Sequence, residues 1–72
     1  MNYLVSVILQ GQHVDWFEFE ADSDDKAKNV WKSKLKNRPR TANSLYDEAA
    51  LFREVRKGRF LCIDNLKQNL GN

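Results

Sequence analysis

"SLYDEAALFREVRKGRFLCID", residues 44–64, is the stretch whose reading decides the fold. It can be taken two ways. In the first, Ser44 caps a second helix with Asp47 three residues on; good helix formers follow, the end is basic and Gly58 stands just past it. Leu45, Ala49 and Phe52 then share one face at i, i+4, i+7. In the second, "LFREV" and "RFLCI" are two arms of a hairpin that turns at Lys57 and Gly58. Adjacent Leu51 and Phe52 spoil a clean strand alternation. The spacing therefore favours a helix over residues 45–57 and keeps the strand as its rival. "RFLCID" reads as a strand either way.

Upstream the pattern is plainer. "YLVSVILQ", residues 3–10, is β-branched and apolar, and it runs through Gly11 into "HVDWFEFEA", residues 13–21, where apolar and polar residues largely alternate. Two strands around a glycine-containing turn make a hairpin. Alternation puts Phe17, Phe19 and Ala21 on a core face and Val14, Trp16, Glu18 and Glu20 on the other. In "DSDDKAKNVWKSKLKN", residues 22–37, the period lengthens toward 3.6. Ser23 is a good N-cap, Asp24 and Asp25 sit where a helix favours negative charge, and lysines gather toward the C-terminal end. Ala27, Val30, Trp31 and Leu35 form an apolar arc that faces Phe17 and Phe19, with Val30, Trp31 and Leu35 expected in the core. Lys34 lies inside that arc and snorkels. Lys28, Lys32 and Lys36 make a ridge at i, i+4, i+8, and Pro39 stops the helix. The tail "NLKQNLGN" can lay Leu66 and Leu70 over the fold as a short helical turn.

Seventy-two residues make one domain, residues 1–72, with a thin core. A content of 42% hydrophobic and 31% charged residues, with three glycines and one proline, is that of a folded chain. The single Cys62 cannot form an internal disulfide, which points to a reducing, cytoplasmic setting. One cysteine and one histidine, His13, cannot close a four-ligand site, so no metal or other cofactor is expected. No apolar run approaches the roughly 20 residues that span a bilayer, and "MNYLVSVILQGQH" lacks the features of a signal peptide. No membrane partner is expected.

Net charge is only +2, but the charges are sorted. Residues 1–25 carry six acids and no Lys or Arg, residues 26–40 seven bases and no acid, and the rest five bases and four acids. Such a dipole orients an approaching partner. Lys28, Lys32 and Lys36, extended by Arg38 and Arg40, can follow a phosphate backbone, although any solvated helix face has the same look. Lysine is a point charge, without the bidentate fork that reads guanine. For catalysis there is little: Cys62 with His13 has no third group to orient it, the Glu18 and Glu20 pair reads as solvated strand acids, and the glycines at 11, 58 and 71 make no phosphate loop. No enzyme is expected.

Surplus apolar surface is the stronger clue. Strand one offers Val5, Val7 and Leu9 on one face and Leu4 and Ile8 on the other, and the last strand sets Phe60 and Cys62 against Leu61 and Ile63. Both faces of the sheet are apolar, and short helices cover one. The junction "FEFEADSDDKAKNVW", residues 17–31, resembles a strand-to-helix corner recurrent in small ββα modules, phage and mobile-element proteins among them. The expectation is a small α+β domain: an antiparallel hairpin, a basic amphipathic helix on one face, a second helix or strand, and a final strand completing a sheet of three to four strands. Its expected function is that of a non-enzymatic protein-binding module, an adaptor or inhibitor of a larger protein, with self-association as a homodimer included. Leu4, Ile8, Val14, Trp16, Glu18 and Glu20 would form its contact surface. The alternative is nucleic-acid binding through Lys28, Lys32, Lys36, Arg38 and Arg40.

Overall fold

The computed structural model describes residues 1–37 and 45–67. The chain runs β1 (Asn2–Leu9), β2 (Gln12–Glu20), α1 (Asp24–Lys36), β3 (Glu48–Arg56) and β4 (Arg59–Lys67). The strands form one antiparallel sheet in the order β2-β1-β3-β4, an α+β architecture. β1 and β2 meet through a two-residue turn in which Gln10 and Gly11 both have left-handed backbones, φ 52 and 79. This geometry matches the twist of the flanking strands. The Gln10 amide donates to Asp47 Oδ2 at 3.1 Å, and the Asp47 amide donates to the Ile8 carbonyl at 3.0 Å. The turn is thereby tied to the start of β3.

The favoured helix over residues 45–57 is not formed; Glu48–Arg56 is a strand, and it closes onto β4 through Lys57 and Gly58, whose φ is 82. Pairing explains the outcome. Ala49 and Leu51 stand opposite Val7 and Val5 with no exposed surface, while Ala50 and Phe52 turn to the other side beside Ser6 and Leu4. A strand with neighbours on both edges and apolar side chains on both faces contains adjacent apolar residues, which look like broken alternation in sequence. Helix propensity yields to those two ladders. Ser44, the expected cap, lies outside the described residues. Leu66 belongs to β4 and packs against the core instead of forming a helical turn, and Leu70 lies outside the described residues.

The helix forms where expected, with Ser23 as N-cap accepting from the Lys26 amide at 3.3 Å and Asp24 and Asp25 in its first turn. Pro39 is outside the described residues. Ala27, Trp31 and Leu35, spaced i, i+4, i+8, are wholly buried against Tyr3, Val5, Val7, Ala49 and Leu51. Phe17, Phe19 and Ala21 pack around that cluster, as alternation predicts. Val30 does not join it: 38% of its surface is exposed, because it stands about 100° around the helix from Trp31. Lys34 does snorkel, with its ammonium 5.5 Å from the centre of the Phe19 ring.

Polar contacts fix the helix on the sheet. The Trp31 indole donates to Asp64 Oδ2 on β4 at 2.9 Å. At the helix start, Asp24 accepts from the Tyr3 hydroxyl at 2.8 Å and from Arg53 Nη1 at 2.6 Å. Burial holds the Tyr3 phenol above its ordinary pKa; its hydrogen bond to Asp24 and that carboxylate's charge add to the rise, and Arg53 opposes it.

Candidate docking face

α1 lies on the side of the sheet that holds Tyr3, Val5 and Val7. Among the described residues no helix covers the other side, to which β1 sends Leu4, Ser6 and Ile8. There an open trough of about 490 Å³ is lined by Leu4, Ser6, His13, Trp16, Glu18, Phe52 and Phe60, which come from all four strands. Trp16 is 66% exposed and Phe60 42%. Ser6 at the trough floor is buried, and its hydroxyl is hydrogen-bonded to His13 Nδ1. A two-residue turn brings these positions, seven apart in sequence, side by side across β1 and β2. The trough is thus largely apolar, with one internally satisfied polar pair and Glu18 on its β2 wall.

The expected contact residues fall largely on this side. Leu4, Trp16 and Glu18 line the trough, Ile8 shares their face of the sheet, and Glu20 follows Glu18 along β2. Val14 does not. The β1 and β2 register slips between Val7 and Ile8, so Val7 faces Asp15 while Ile8 faces His13. Val14 is the extra residue, and the bulge turns it toward the core, where it packs. Phe52 was missed because a helical reading of its segment hides the partner strands; the signal for it was the pair of apolar neighbours at 51 and 52. Phe60 was legible by alternation with Cys62.

Other constellations are not assembled. Cys62 and His13 lie on opposite edge strands, with two strands between them, and Cys62 is exposed with its thiol 3.5 Å from the Asp64 carbonyl. Ser6 with His13 pairs a hydroxyl with an imidazole. Because β1 is flanked by β2 and β3, however, its amides serve the two ladders and are not free to stabilise an oxyanion. Among the described residues no cluster of three or more His, Cys, Asp or Glu could hold a metal ion, and no helix is long and apolar enough to cross a membrane.

Lys28, Lys32 and Lys36 are exposed along α1, across the molecule from the trough; Arg38 and Arg40 lie outside the described residues. Trp31 is fully buried beneath that helix and offers no ring for base stacking. Compared with protein-family models, curated proteins and solved structures, the chain matches none.

Proposed function

We propose that this chain is a small non-enzymatic protein-binding module, an adaptor or inhibitor of a larger protein, that docks through the bare face of its sheet. The observation that carries this reading is the trough between Leu4, Trp16, Phe52 and Phe60, apolar and open on a chain of only 72 residues. Contiguous exposed apolar surface usually marks a contact with another macromolecule, and large aromatic side chains with polar neighbours are typical anchors of such contacts. Strands hold these anchors in place before binding, so little ordering entropy opposes association. An exposed Cys62 without a disulfide suits a reducing compartment, and the cytoplasm is the proposed setting.

Nucleic-acid binding ranks second and rests on the exposed Lys28, Lys32 and Lys36 alone. The two readings separate in one experiment. Parent and Trp16→Glu proteins are compared for partner capture from the native host and for self-association by sedimentation, with thermal melts as a control. Loss of capture or of self-association at an unchanged melting temperature supports the module. Equal behaviour of the two proteins, together with salt-sensitive binding of generic DNA or RNA, supports the lysine ridge.

A further inference from the structure

We infer that the occupant of the bare face is a cationic amphipathic helix of another protein, its apolar stripe seated in the trough and its lysines or arginines set against the glutamates beside it. This rests on the docking reading above and names the partner's chemistry. The charges supply the first reason. Glu20 and Glu54 flank Asn2 in one row across β2, β1 and β3, with Asn2 Nδ2 donating to Glu54 at 3.2 Å, and Glu18 stands in the next row beside Leu4. Three carboxylates therefore gather along one side of an apolar trough. Lys67, on the other side, stands opposite Glu48. Arg56, Lys57 and Arg59, at the hairpin tip just past the Glu54–Phe60 pair, offset Glu54, which leaves Glu18 and Glu20 on β2 as the acidic pair beside Trp16. A phosphate backbone would be repelled by Glu18 and Glu20, which stand on the edge strand far from that basic tip.

The direction of the trough supplies the second reason. It crosses four strands, so its length is about 14 Å at the usual strand spacing, or roughly three turns of a helix. An extended peptide binds a sheet by adding to an edge, where backbone groups are unpaired. Here the floor is β1 and β3, each paired on both sides, so recognition falls to side chains. An apolar stripe at i, i+3, i+4, i+7 meets that need, and basic residues beside the stripe meet Glu18 and Glu20.

Two synthetic helical peptides test the inference by calorimetric titration. Both carry leucines at i, i+3, i+4, i+7; one has lysines at the remaining positions and the other glutamates. The lysine peptide should bind the parent protein at least about tenfold more tightly than the glutamate peptide at low salt, and added salt should narrow the gap. Glu18→Lys with Glu20→Lys, both at exposed positions, should reverse the preference. Trp16→Ala, which removes the ring without adding charge, should weaken lysine-peptide binding at least about tenfold while the melting temperature holds. If the glutamate peptide binds as tightly, or the double variant keeps the parent's preference, the charge assignment is overturned and the docking face itself stands. Absence of binding by either peptide to the folded parent overturns the helical occupant. Lysine-peptide binding undiminished in Trp16→Ala overturns both the inference and the docking face. An oligonucleotide bound by the parent but not by Trp16→Ala would assign the face to nucleic acid instead.

Discussion

Val5 and Leu4 are neighbours on the same central strand, yet Val5 is wholly shielded while Leu4 opens onto the trough. The same contrast holds between the two tryptophans. Trp31 on α1 is fully buried and hydrogen-bonded to Asp64, whereas Trp16 on β2 leaves 66% of its surface in water. Apolar content alone therefore does not separate core from contact surface in a chain this small. One helix of 13 residues lies over one face of the sheet, and the covered side becomes the core. The other side keeps its aromatic groups in water, on the face where the proposed partner would dock.

Truncating the two tryptophans puts that contrast to its severest test. Trp31→Ala should cost about 3–5 kcal/mol, from lost burial and a cavity, and it also strips the indole donor from Asp64. Small domains hold only about 5–15 kcal/mol in total, so urea and thermal melts should show a protein close to unfolding. Trp16→Ala, the same chemical change, should stay within about 0.5 kcal/mol of the parent, as expected of an exposed site. Equal losses from both would mean that the two faces are not different in kind.

A smaller effect probes how the covered face is fastened. Asp24→Asn keeps the shape of the side chain but removes the charge that pairs with Arg53, at a site where the two side chains are 31% and 27% exposed. The expected loss is about 1–2 kcal/mol, below the figure for a fully buried pair because solvent screens part of it. Chemical denaturation in low and moderate salt should show the loss, reduced in the latter.

The Tyr3 phenol gives the same contact a pH dependence. Its folded pKa is raised, so the neutral phenol is the form that the fold prefers. Stability from this preference is fully present below the ordinary tyrosine pKa of about 10 and is lost as pH rises through the higher folded value. Melts of the parent taken upward from about pH 9 should therefore fall more steeply than those of Tyr3→Phe, which has no phenol to ionise. The difference in phenolate absorbance between the two proteins should rise above pH 10. Parallel curves would place Tyr3 in water and undo the burial on which the covered face depends.

Much of this arrangement was legible because local and global preferences agree in the first half of the chain. Ser23, Asp24 and Asp25 announce a helix start that the fold uses, and Phe17, Phe19 and Ala21 alternate onto the face where the helix packs. The second half was harder because its strand is central. Ala49, Ala50, Leu51 and Phe52 satisfy two faces at once, a pattern without the period of a half-buried strand, and their helix-forming tendency is overridden by β1 and β4. Val14 and Val30 failed for narrower reasons. A one-residue bulge reversed the first, and the second sits at the margin of a stripe only as wide as Ala27, Trp31 and Leu35. In the trough, Leu4, Trp16 and Glu18 could be found by alternation, while Phe52 could not be placed until β3 was known to be a strand.

The least perturbing change should be made at the lysine ridge, on the side of α1 that neither face of the sheet touches. Lys28, Lys32 and Lys36 are exposed, and Lys28→Gln, Lys32→Gln and Lys36→Gln together replace charge with another good helix former. Each substitution should move stability by no more than about 0.5 kcal/mol, with a slight net gain possible where like charges at i, i+4 cease to repel. The triple variant should bind the lysine peptide as the parent does or somewhat faster, since fewer cationic groups then oppose a cationic partner at long range while the trough is unchanged. Stopped-flow association at two ionic strengths measures that rate directly. A marked loss of peptide binding in a variant that melts like the parent would show that the ridge belongs to the contact surface, and the division between a docking face and a merely solvated helix would have to be redrawn.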